Sequence, residues 1–141
     1  MKEKVDTLLS QVVSWASKQD SILGVSLVGS YARNTARPDS DVDLVILSDK
    51  PTELLAKTEW ISKFGEIVSS RHGDYGLVQS KHILYKSNLK VEYGITTLEW
   101  TNTKPVDSGT YKVVTDGMQI LYDPENAFKH LQDAIYHPDR N

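Results

Sequence analysis

Apolar residues recur at helical spacing at the start of the chain. Val5, Leu8, Leu9, Val12, Val13 and Ala16 fall on one stripe and predict an amphipathic helix over residues 3–18, with Trp15 off its centre as a flank or a partner contact. The pattern then changes. Ile22 to Val28 and Val42 to Leu47 are short and apolar on both faces, as expected of central strands in a covered sheet. Pro51 stands where a helix can begin, and Leu54, Leu55, Thr58 and Ile61 carry an apolar stripe to about Lys63, before Gly65.

Glu66 to Ser70 reads as a strand and Arg71 to Gly76 as a loop. Leu77 to Lys86 and Leu89 to Thr96 read as two strands joined at Ser87-Asn88. A two-residue turn there places Glu92 on the face of Gln79, Lys81, Ile83 and Tyr85, whereas a three-residue loop reverses the pairing. Beyond the loop Lys104 to Gly109, Thr110 to Asp116 predicts a short helix closed by Gly117, and Gln119 to Tyr122 a last strand. Asp123 is placed to cap a final helix with Pro124 in its first turn and Ala127, Phe128, Leu131 and Ile135 on its stripe. This order predicts an α/β (α+β) domain, a mixed sheet flanked by helices, occupying residues 1–141 as a single unit.

Composition narrows the function. Sixteen basic against nineteen acidic residues give a net charge of −3, which supplies no electrostatic footprint for duplex nucleic acid. The absence of cysteine removes disulfides and thiolate zinc sites. No apolar run reaches membrane-spanning length and the first 18 residues lack a signal-peptide core, so a cytoplasmic protein is expected. The four histidines, His72, His82, His130 and His137, share no metal-ligand spacing and read as structural or solvated.

The chemistry gathers between the first two strands. Side chains alternate along a strand, so Asp41 and Asp43 point to one face about 7 Å apart, and Val42, Leu44 and Ile46 to the other. Two carboxylates so placed suit Mg²⁺, a hard cation that keeps room for waters and phosphates. Gly29 lets the backbone come close to a ligand, Ser30 is placed to cap the short helix, and the free amides there favour an anion. Phosphate turn and metal pair together describe a site for moving a phosphoryl or nucleotidyl group.

Gly29-Ser30, ten intervening residues and then Asp41-x-Asp43 resembles the signature of the DNA polymerase beta superfamily of nucleotidyltransferases. The likeness is to its small members, the antibiotic adenylyltransferases and the minimal nucleotidyltransferase antitoxins paired with HEPN-domain toxins. It extends more weakly to Glu92 and to Gly117 to Pro124. Relatives commonly carry glycine at the position of Asn34, and asparagine is the next residue most tolerant of the left-handed conformation.

The resemblance implies the nucleotidyltransferase fold and transfer of a nucleoside monophosphate, AMP from ATP or from another nucleoside triphosphate, to an acceptor hydroxyl. It implies Asp41 and Asp43 as ligands of one or two Mg²⁺, and Glu92 as a third carboxylate that binds metal, takes the acceptor's proton, or does both. The alternative for Glu92 is a surface strand acid paired with Lys90 or Lys81. Ser30 and the neighbouring amides would hold the outer phosphates, and Arg33 and Arg37 would add charge-assisted contacts. The acceptor is expected to be a small molecule or a protein, and either a homodimer or partner chain builds the far wall of the cleft or the acceptor is held loosely in an open one. An antitoxin-like enzyme that modifies a partner protein and an inactive nucleotide-binding module are the alternatives.

Overall fold

Residues 2–138 are described by a computed structural model. Six strands among them form one sheet: β1 Ile22–Val28, β2 Val42–Ser48, β3 Ile67–Tyr75, β4 Val78–Tyr85, β5 Lys90–Thr96 and β6 Met118–Tyr122, in the order β3-β4-β5-β2-β1-β6. Neighbours are antiparallel except β2 and β5, which run parallel through Val42↔Val91 to Leu47↔Thr96. The sheet is mixed, with helices against it, as the element order predicts.

One face is closed. Val5, Leu8, Val12 and Ala16 of α1 (Lys2–Ser17) pack with Val25, Leu27, Leu44, Ile46, Val91 and Ile95 of the strands. Trp15 flanks this layer, stacked on Trp60 with ring centroids 4.9 Å apart. Two buried tyrosines share this core: the Tyr85 hydroxyl donates to the Ile61 carbonyl at 2.8 Å and lies 2.8 Å from the Tyr93 hydroxyl. Burial pushes the Tyr85 phenol up to about 12, and Tyr93 is raised by the same cause.

The other face is half covered. The 3₁₀ turn Leu98–Thr101, α5 (Ser108–Asp116) and α6 (Ala127–Tyr136) bury Trp100, Val114, Phe128 and Leu131 against Val28, Val45 and Leu47. No described helix is long and apolar enough to cross a membrane.

Four local expectations are corrected. The helix expected from Pro51 to about Lys63 is two, α3 (Pro51–Ala56) and α4 (Glu59–Ser62), with Lys57 extended between them. The break lets the Trp60 indole turn back and donate to the Leu54 carbonyl at 2.9 Å while its ring is buried. The expected loop Arg71 to Gly76 is mostly strand, because β3 is an edge whose polar side chains meet water and leave no apolar alternation to read.

The β4–β5 connection has three residues, since the Tyr85 amide donates to the Leu89 carbonyl and Asn88 adopts φ +75°. Glu92 therefore pairs with His82 and leaves the face of Ile83 and Tyr85. Asp123 caps the last helix from further away than expected: its carboxylate accepts from the Phe128 and Lys129 amides at 3.1 and 3.0 Å, and Pro124 lies in the turn before the helix.

Candidate active site

Strand register assembles a row of side chains across the open face. Val28 on β1 pairs with Asp43 on β2, Asp43 with Glu92 on β5, Glu92 with His82 on β4, and His82 with Arg71 on β3. Directly paired residues share a face. Two carboxylates distant in sequence thus stand side by side, with an imidazole beyond them.

The Asp43 carboxyl is hydrogen-bonded to Glu92. Burial, that bond and the negative charges of Glu92 and Asp41 push it up to about 8, while Arg33 pulls it the other way. Asp41 is exposed, just ahead of β2, and shares a side groove with Arg71, His82 and Lys90.

Gly29 has φ +75°, a conformation natural to glycine, and a Cβ there would overlap Asp43 Oδ2. The space that glycine leaves is taken up by the carboxylate. Ser30 lies inside α2 (Gly29–Ala32) and not at its cap: Val28 is the N-cap residue, with no side-chain cap bond. The helix starts directly at the end of β1, so its first amides have no carbonyl of a preceding turn to bond. Asn34 closes the turn at φ +60°, as its left-handed tolerance predicts.

Arg33 passes over Gly117, where a Cβ would come within 2.7 Å of its Cγ, and its charge reaches Asp43. Arg37 lies in the following loop, its amide donating to Ser40 Oγ at 2.8 Å, and it forms no ion pair among the described residues.

A cleft of about 670 Å³ opens from the Asp43–Glu92 pair along the sheet, walled by Val28, Val45, Val78, Trp100 and Val113 with Gly94 in its floor. That size suits a small molecule. Trp100 and Val113 come from the segment after β5, and neither is marked by any local motif. His82 is the other member that sequence reasoning missed. The three-residue reading of the β4–β5 loop is the signal that would have placed it opposite Glu92.

Among the described residues, no group of three or more His, Cys, Asp or Glu side chains stands ready to hold a metal ion as placed. The chemistry of the donors nonetheless fits a hard divalent cation. Asp41, Asp43 and Glu92 offer only oxygen, and the Asp43–Glu92 hydrogen bond holds two carboxyl groups together where a cation would neutralise both.

A mixed sheet with a Gly-Ser turn ahead of an acidic strand defines a nucleotidyltransferase-like domain. The chain belongs to the nucleotidyltransferase domain family, whose model matches residues 9–107. No curated protein matches it. Among solved structures it is similar to an aminoglycoside 6-adenyltransferase from Bacillus subtilis, with a TM-score of 0.54 and 11% identity over 69% of this chain and 36% of that one. The chain therefore spans little more than a third of that relative, and the likeness is one of fold. The polymerase core of TRAMP, an RNA surveillance complex, gives a TM-score of 0.47 at 16% identity over 66% of this chain and 29% of that one. A toxin–antitoxin structure with AMP-PNP gives 0.46 at 13% identity over 98% and 86%. These two are too distant to carry an argument.

Proposed function

We propose that this domain transfers a nucleoside monophosphate, AMP from ATP, to an acceptor hydroxyl with release of pyrophosphate. The observation that carries the reading is the parallel β2–β5 register, which sets Glu92 beside Asp43 at the start of α2. Asp41, Asp43 and Glu92 would hold one or two Mg²⁺. Bound there, the metal would neutralise the triphosphate and stabilise charge on the attacking and leaving oxygens.

The chain's own groups divide the remaining work. The first amides of α2 and the Ser30 hydroxyl bind the outer phosphates, next to the carboxylates. Arg33 adds positive charge close to Asp43, and Arg37, in the loop that follows, would add a second charge-assisted contact. An acceptor hydroxyl brought to Glu92 loses its proton to that carboxylate as its oxygen attacks the α-phosphorus and the bond to pyrophosphate breaks. The cleft of about 670 Å³ supports a small-molecule acceptor.

The test is transfer of label from ATP marked at the α-phosphate, with Mg²⁺, in fractionated cell extract. Labelled small-molecule product and stoichiometric pyrophosphate are expected with the wild type and not with Asp43→Asn. A folded wild-type protein that neither binds Mg²⁺-ATP nor moves label in any fraction would refute the reading. Label confined to one co-purifying protein would replace the small-molecule acceptor with a protein one.

A further inference from the structure

Beside Glu92 lie two side chains with no part in the chemistry so far, and they meet at one imidazole nitrogen. His82 Nε2 is 3.3 Å from Glu92 Oε1 and 3.2 Å from the Tyr75 hydroxyl. The Tyr75 ring meets the imidazole at a steep angle, with centroids 6.2 Å apart and planes at 62°. Gly73 makes this possible. A Cβ there would stand 2.8 Å from Tyr75 Cε2 and 3.0 Å from His82 Nε2, so the tyrosine folds back across the bare side of the glycine.

The His82 and Glu92 side chains are 17% and 25% exposed, shielded enough for their contact to outlast competition from water. Nε2 carries a single hydrogen, so when it points to Glu92 the Tyr75 hydroxyl can only share it as a second acceptor, and the Tyr75 ring backs the imidazole by packing against it. On its other side Glu92 meets Asp43, which repels it when both are ionised. Glutamate also has one more rotatable bond than aspartate, and the cleft it lines lies open next to it. Something must hold the carboxylate over the row.

We propose that His82, held by Tyr75 across Gly73, is a positioning residue that fixes Glu92 as a metal ligand. This rests on the reading of Glu92 as a member of the carboxylate set. The imidazole N–H beside Oε1 would keep the side chain from swinging out into the cleft and hold the carboxylate next to Asp43. Losing a group that orients a metal ligand typically costs about 10- to 100-fold in metal affinity or activity.

The test is Mn²⁺ affinity, read by electron paramagnetic resonance with saturating AMP-PNP, so that no turnover or acceptor is needed. His82→Phe keeps a ring and removes the nitrogens, and is expected to weaken Mn²⁺ about tenfold. His82→Gln, whose amide nitrogen reaches the place of Nε2, should restore most of the loss. Tyr75→Phe keeps the ring against His82 and leaves the Nε2 hydrogen wholly to Glu92, so it should not weaken Mn²⁺. Combined with Glu92→Gln, His82→Phe should cost nothing further, because it acts through the carboxylate it orients.

Wild-type Mn²⁺ affinity in folded His82→Phe, with Glu92→Gln impaired, would overturn the proposal. So would additive losses in the double variant, or a His82→Gln protein no better than His82→Phe. Unchanged affinity in Glu92→Gln would remove Glu92 from the metal set and the His82 proposal with it. Nucleotidyl transfer itself, which stands or falls with Asp43→Asn, would survive that result.

Discussion

The two faces of the central sheet are built from the same strands and do opposite things. On β2, Leu44 and Ile46 point into the helix-covered core, and Asp43 points the other way into the open cleft. On β5, Val91, Tyr93 and Ile95 join the core while Glu92 joins Asp43. The covered face gains from every side chain it buries. The open face gathers like charges at a cost to the fold, and keeps them where α1, α3 and α4 do not reach. Strand alternation lets one segment serve both ends without compromise between them.

The largest expected effect lies on the open face. Asp43→Asn and Glu92→Gln should each lower transfer by about 10²- to 10⁴-fold, because a positioned base or a metal ligand is lost, and leave circular dichroism unchanged. A wild-type rate in Glu92→Gln would make that residue a surface strand acid. Gly29→Val tests the same face through the backbone. Its side chain must displace Asp43, so Mg²⁺-ATP binding should fall well beyond any loss of adenosine binding, and equal losses would mean that the turn is only structural.

On the covered face the currency is stability. Leu8→Ala should cost about 2–5 kcal/mol in denaturant unfolding, with activity per folded molecule preserved. Loss of turnover at full stability would break the division between the faces. Tyr93→Phe should cost about 1 kcal/mol, since Tyr85 keeps its bond to the Ile61 carbonyl.

A further effect is one of pH. Asp43 rises from the usual 3.8 to about 8 on folding, so between those values the folded state holds more proton than the unfolded one. Its contribution to stability is complete below about pH 4 and is lost as pH rises through 8. Metal-free wild type should therefore melt lower at pH 8 than at pH 6 relative to Asp43→Asn, and Mg²⁺ should narrow the gap. Parallel pH profiles for the two proteins would show that Asp43 carries no such burden.

Local sequence determined much of this protein. The strands Ile22–Val28 and Val42–Ser48 follow from short runs that are mostly apolar on both faces, the tight turn from Gly29, and its left-handed close from Asn34, all decided by sterics and burial within a few residues. The place of Asp43 on the face opposite Leu44 and Ile46 needs only the period of a strand, whereas Asp41 stands ahead of β2 in the side groove. What lay beyond the sequence was long-range and depended on parity. Nothing near residue 92 says that β5 will pair in parallel with β2, and one residue more or less in the loop at Asn88 decides whether His82 or Lys81 shares Glu92's face. Side chains alternate with a period of two, so a single step in register exchanges core for cleft, and only the packing of the whole sheet selects between them.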